Sequence, residues 1–91
     1  MIWFATDAGY GALTFQVSPE GLEQGDQLHL IDGGYSGCYI ITRVVLREGR
    51  QSHLELHPAN EETARKHGGF GSFSYNAPEL AKSPKLRVLF S

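Results

Sequence analysis

From Cys38 to Leu46 the chain is apolar on two faces at once. Read with the two-residue period of a strand, Cys38, Ile40, Val44 and Leu46 fall on one side, and Tyr39, Ile41 and Val45 on the other. β-branched and aromatic residues of this kind favour extended backbone over helix. A strand with two apolar sides is either central, covered on both, or it bends through a bulge and changes faces partway along. Both solutions demand a sheet around it.

The neighbouring sequence supplies that sheet. Ile2-Trp3-Phe4 is a short apolar start that ends at Asp7, Gly9 and Gly11. Leu13, Phe15 and Val17 alternate with Thr14 and Gln16, the pattern of a half-buried strand, and Ser18-Pro19-Glu20-Gly21 follows as turn chemistry. Gly25-Asp26 opens another strand, with Leu28 and Leu30 on one face and Gln27 and His29 on the other. Asp32-Gly33-Gly34 is a turn signal, and Glu48-Gly49 reads as a hairpin turn into Gln51–His57, where Leu54 and Leu56 face inward. Phe73 and Tyr75 mark a further strand, and Leu86, Val88 and Phe90 alternate as a last one after Pro84.

One helix interrupts this series. Asn60 is a good N-cap, Glu61 and Glu62 sit in the first turn, Arg65, Lys66 and His67 in the last, and Gly68 stops it. The charges complement the helix dipole at both ends. Pro78–Lys82 reads as a single helical turn. The expected fold is therefore mainly β: a small barrel or two-layer β structure of about five to seven short strands, with one short helix near residues 60–67. Its expected core is Leu28, Leu30, Ile40, Leu54, Leu56, Leu86 and Val88.

Ninety-one residues make a single β domain, 1–91, with a thin core. The net charge of −2 argues against a strongly basic nucleic-acid binder. Residues 1–60 carry three basic and seven acidic side chains and residues 61–91 five and three, a mixed surface rather than a polyelectrolyte tail. A single cysteine, Cys38, excludes an internal disulfide and a Cys-based zinc cage and fits a reducing compartment. The N-terminus lacks the basic region of a signal peptide, and no stretch approaches the roughly 18 apolar residues of a membrane span. The expectation is a cytoplasmic protein without a membrane association.

The sharpest constellation is His53-Leu54-Glu55-Leu56-His57. On a strand His53, Glu55 and His57 stand in a row about 6–7 Å apart, and His29 alternates outward on a nearby strand. Two imidazoles and a carboxylate suit zinc, but ligands in a row on one flat strand do not surround an ion, and the row reads more simply as the wet side of a strand whose dry side is Leu54 and Leu56. No metal and no cofactor is expected. Cys38 would be a nucleophile if a histidine stood beside it; at the start of an apolar strand it packs as a small hydrophobe. No GxSxG elbow is present, and Gly68-Gly69-Phe70-Gly71-Ser72 lacks the lysine of a P-loop. The aromatics Tyr35, Tyr39, Phe70, Phe73 and Tyr75 are the candidate partner-binding residues. With Arg43, Arg47 and Arg50, and Arg65 and Lys66, they would also serve to stack and hold single-stranded nucleic acid.

Residues 13–56 resemble two families. The run GDQLHLIDGGYSGCYIITRVV, followed by HLEL, resembles small SH3-like barrels of the KOW and Tudor type, in which a Gly-Asp starts a strand and a glycine-rich hairpin leads into a long bent strand. The same region, from LTFQVSPEGLEQ onward, is similar to small phage head–tail joining (connector) proteins. The tail from Asn60 to Ser91 lies outside both. The phage resemblance implies a structural subunit that self-assembles and has no active site; the KOW resemblance implies nucleic-acid binding. The function expected is a non-enzymatic protein-interaction or assembly module, phage- or mobile-element-derived in its specific version. It would present an edge strand, or the loops around Gly33–Gly37 and Gly68–Ser74, to a protein partner or to another copy. A KOW-type nucleic-acid binder is the alternative, and a metal-dependent enzyme comes third.

Overall fold

Strand β4 (Gly37–Val45) is paired along both sides: with β3 (Gln27–Leu30) on one and β5 (His53–Pro58) on the other, both antiparallel. The computed structural model describes residues 1–7, 11–47 and 51–82. Beyond β3 lie β1 (Ile2–Asp7), parallel to β3, and β2 (Leu13–Phe15); beyond β5 lies β6 (Phe73–Asn76). The result is one six-stranded curled sheet, a half-barrel, in the order β2-β1-β3-β4-β5-β6. A helix α1 (Glu61–His67) and a 3₁₀ turn (Pro78–Lys82) complete it.

The two apolar faces of β4 are resolved by both expected devices together. The strand is central, and its register against β5 shifts between Ile41 and Arg43. Thr42 is the bulged residue, and its hydroxyl donates to the Glu55 carbonyl (3.1 Å) and stands 3.1 Å from the Glu55 carboxylate. Before the bulge Tyr39 and Ile41 face inward, fully buried; after it Val44 and Leu46 pack against the core. Ile40 therefore stands outward and half-buried, which corrects its place in the expected core. Leu28, Leu30, Leu54 and Leu56 are buried as expected, joined by Trp3, Ala5, Leu13, Phe15, Leu22, Tyr75, Ala77 and Leu80. Leu86 and Val88, and the strand expected around them, lie outside the described residues, as do Gly9, the Glu48-Gly49 turn and Arg50. β2 is shorter than its alternation suggests: it stops at Phe15, and Val17 is 70% exposed, because the chain leaves the sheet towards a buried Pro19.

The half-barrel's two outer strands meet. Ala12 bridges Asn76 in parallel, the Asn76 amide donates to the Gly11 carbonyl (3.1 Å), and the Phe15 amide donates to the Glu79 carboxylate (2.6 Å). The Tyr75 hydroxyl hydrogen-bonds the Asp7 carboxylate. The Gly11 carbonyl and the Asn76 and Phe15 amides are thus paired within the chain and are not offered to a partner strand.

The helix forms as its caps dictate. The Asn60 side chain accepts from the Thr63 amide (2.8 Å), and Gly68 closes the C-terminus at φ 91°. Thr63, on the inward side of α1, accepts the Cys38 amide through its hydroxyl (2.9 Å), so the helix is fastened to the first residues of β4. This contact requires a glycine. Gly37 has φ +148°, and a Cβ there would sit 2.9 Å from Thr63 Cγ2. At the opposite end of the sheet, Asp26 joins the starts of β1 and β3: its carboxylate accepts from the Trp3 indole (2.9 Å), the Glu23 amide (3.0 Å) and the Met1 ammonium (3.3 Å). Burial opposes its ionisation, but these donors outweigh it and hold the carboxyl below its usual value.

These contacts carry three expected outcomes. Leu54→Ala should lose about 2–5 kcal/mol in urea unfolding, the range for a fully buried leucine. Gly37→Ala should lose at least about 1–3 kcal/mol, since the methyl group pushes on Thr63 and the backbone is left strained. Asp26→Ala should lose about 1–3 kcal/mol at neutral pH. A carboxyl whose value is depressed by folding lends stability that is complete above the unfolded value and disappears as pH falls through the folded one. The Asp26→Ala deficit should therefore be constant down to about pH 4 and shrink below it, measured as paired urea melts across that range.

Candidate interaction surface

Because side chains alternate, the strands that bury Trp3, Ala5, Leu28, Leu30, Tyr39 and Ile41 must turn another set outward. Register aligns that set into rows. Ile2 lies beside Gln27, Gln27 beside Ile40, and Ile40 beside His57; in the next row Phe4 lies beside His29 and His29 beside Cys38. Ile31 follows at the end of β3, its amide bonded to the Ala5 carbonyl (2.9 Å). Ile2, Phe4 and Ile31 are 50%, 45% and 45% exposed, and His29, Cys38 and Ile40 are half-buried. Phe4 packs edge-on against the His29 ring, centroids 5.2 Å apart, and the Cys38 sulfur lies 3.6 Å from His29 Nε2. Among the described residues, the outward positions of this half, across β1, β3 and the first part of β4, carry no carboxylate, lysine or arginine.

The other half is polar. Arg43 pairs in register with Glu55, and Val45 with His53. His53, Glu55 and His57 do share the outward face of β5, each half-buried, but each has its own neighbour. His53 Nδ1 lies 3.1 Å from the Gln51 carbonyl, Glu55 engages Thr42, and His57 Nδ1 lies 3.4 Å from the Ser72 hydroxyl. His29 stands across β4 from this row, next to Cys38 instead. Among the described residues no group of three His, Cys, Asp or Glu side chains is placed to hold a metal ion. Arg43 and Arg47 are exposed; Arg47 is tied through its main chain to Ser52.

The five candidate aromatics separate. Tyr39 is fully buried, with its hydroxyl donating to the Tyr35 carbonyl, and Tyr75 is 5% exposed, bonded to Asp7. Burial, assisted by Tyr35 and Cys38, pushes the Tyr39 hydroxyl up to about 12. Burial, then the Asp7 hydrogen bond and charge, raise the Tyr75 hydroxyl well above its usual value. Both are core residues, because β4 before its bulge and β6 opposite Leu54 point inward, and they are withdrawn from any partner surface. Tyr35 (44% exposed), Phe70 (51% exposed) and half-buried Phe73 remain.

The two glycine-rich loops singled out in the sequence do converge. Tyr35, from the first, contacts His67 and Phe73 with ring centroids 5.3 and 5.7 Å away, and His67 stacks on Phe73 at 3.9 Å. Lys66 Nζ reaches the Ser36 hydroxyl at 3.4 Å. Phe70 tilts over His57 at 6.1 Å. The cluster includes the last residue of α1, and Arg65 and Lys66 just before it are exposed.

Sequence reasoning passed over Ile2, Phe4 and Ile31. Their signal was present: Ile2 and Phe4 flank Trp3 at strand spacing, so a strand that buries Trp3 must expose both. Among the described residues no helix is long and apolar enough to cross a membrane. Compared with known proteins, the chain matches no family model, no curated protein and no solved structure.

Proposed function

We propose that this chain is a non-enzymatic protein-interaction or assembly module that works through the uncharged half of its outward sheet face. The observation that carries this reading is the side-by-side exposure of Ile2 and Phe4 on β1 and Ile31 after β3, at 50%, 45% and 45%. Scattered apolar side chains are ordinary on a surface, whereas a neutral apolar patch spanning adjacent strands marks an interaction site. A rigid sheet also presents its face without an ordering cost on binding. The resemblance of residues 13–56 to phage head–tail joining proteins supports the specific version, in which copies of the chain assemble with one another. A free cysteine on this face fits a cytoplasmic setting.

One observation favours a second reading, a KOW-type nucleic-acid module: exposed Tyr35 packs on His67, and Lys66 reaches the adjacent Ser36, so that a ring near a cation suits a stacked base. Against it, the net charge is −2, and Arg43 faces Glu55, so attraction to phosphate is weak at long range.

Sedimentation across a wide concentration range separates the two. Wild-type protein should self-associate, and Phe4→Glu, which places a charge on an already exposed position, should stay monomeric with its thermal melt unchanged. A wild-type chain that is monomeric throughout, yet binds oligonucleotides below micromolar at about 150 mM salt through Arg43 or Arg47, would replace the assembly reading with the nucleic-acid one.

A further inference from the structure

We infer that Cys38 and His29 form a thiol-exchange site on the outward sheet face, at which Cys38 takes up half of a low-molecular-weight disulfide with His29 as its base. Antiparallel register places the two residues directly opposite each other on β3 and β4. Cys38 Sγ lies 3.6 Å from His29 Nε2. A nucleophile within reach of an imidazole, with the imidazole itself held in place, is the arrangement that activates a side chain for attack. Phe4 does the holding, its ring packed edge-on against His29.

The thiol is also fixed from below. The Cys38 amide donates to Thr63 (2.9 Å), and its carbonyl accepts from the Ala59 amide (2.9 Å), so the residue cannot swing away without disturbing α1 and β5. Both Cys38 and His29 are half-buried on the outward face, the face proposed above to dock, so the exchange belongs to the unassembled chain. On this face the pair's neighbours are Phe4, across from His29, and Gln27 and Ile40, two residues along their own strands, with His57 across from Ile40 as a further titratable group. None of these is acidic; the carboxylates on the helix packed against Cys38 are Glu61 and Glu62, in the turn that holds Thr63.

The exchange balances without an external oxidant or reductant. His29 Nε2, in the tautomer that leaves it unprotonated, accepts the Cys38 proton. The sulfur attacks one sulfur of the disulfide, the disulfide bond breaks, and the other sulfur leaves with the electron pair and takes the proton from His29. One mixed disulfide forms on the protein and one small thiol is released.

The test uses the intact chain with two probes, dipyridyl disulfide for rates and glutathione disulfide for product mass, with Cys38→Ser as the blank. At neutral pH native wild type should react about tenfold faster than His29→Gln, a modest share of what a positioned base supplies. That gap should close in alkaline solution, where hydroxide takes the thiol proton without His29; a merely structural role for His29 would leave the gap unchanged with pH. Mass spectrometry should show a single glutathione adduct, absent from Cys38→Ser. Should His29→Gln fail to fold, the native wild-type rate is compared with that of the same chain in urea, and a native thiol that is faster upholds the assignment. Equal rates for wild type and His29→Gln at neutral pH, a gap that does not close, or a native thiol no faster than the unfolded one would overturn it.

Discussion

The bulge at Thr42 is the constraint on which the rest of the structure depends. A strand of this length with regular alternation cannot bury Tyr39, Ile41, Val44 and Leu46 together, because the first two and the last two have opposite parity. One extra residue reverses the parity and brings all four to the core side. The price is an unpaired residue, and the Thr42 hydroxyl offsets it by bonding across to Glu55. The bulge also bends β4, and the bend lets six short strands curl far enough for β2 and β6 to approach each other.

The same parity governs the outward face. Before the bulge, β4 shows Cys38 and Ile40 to the outside; after it, Arg43 and Val45. The neutral half of the surface, with Ile2, Phe4, Ile31 and the Cys38–His29 pair, and the polar half, with Arg43, Glu55 and the β5 histidines, are divided close to that residue. A chemically uniform strand face would not have given an apolar patch with a boundary.

Much of this fold is legible without coordinates. The Asn60-to-Gly68 helix is read from caps and charges because those interactions are local, lying within a few residues of each other. The inward faces of β3 and β5 are read from alternation alone. Ile40 is not, because alternation offers two solutions for Cys38–Leu46 and only the register against Leu56 and Glu55 selects between them. The site is less legible than the fold. That His29 meets Cys38 instead of joining His53 and His57 is a fact of strand order, and strand order here includes a parallel β1–β3 pairing that no turn signal announces. Tyr39 and Tyr75, as aromatic as Tyr35, are separated from it only by depth: they occupy inward positions of β4 and β6, whereas Tyr35 lies in the loop before β4.

The Phe15–Glu79 and Asp7–Tyr75 contacts close the half-barrel across 64 and 68 residues of chain. Such distant pairing makes for high contact order and unhurried folding. It also sets an order of events during synthesis, which proceeds from the N-terminus. β1 and β2 emerge first, yet β1 must wait for β3 to pair with it in parallel, and β2 must wait until residue 79 has left the ribosome before its amide is capped. Through that interval the apolar run Ile2 to Phe4 has neither its core nor its partner strand in place.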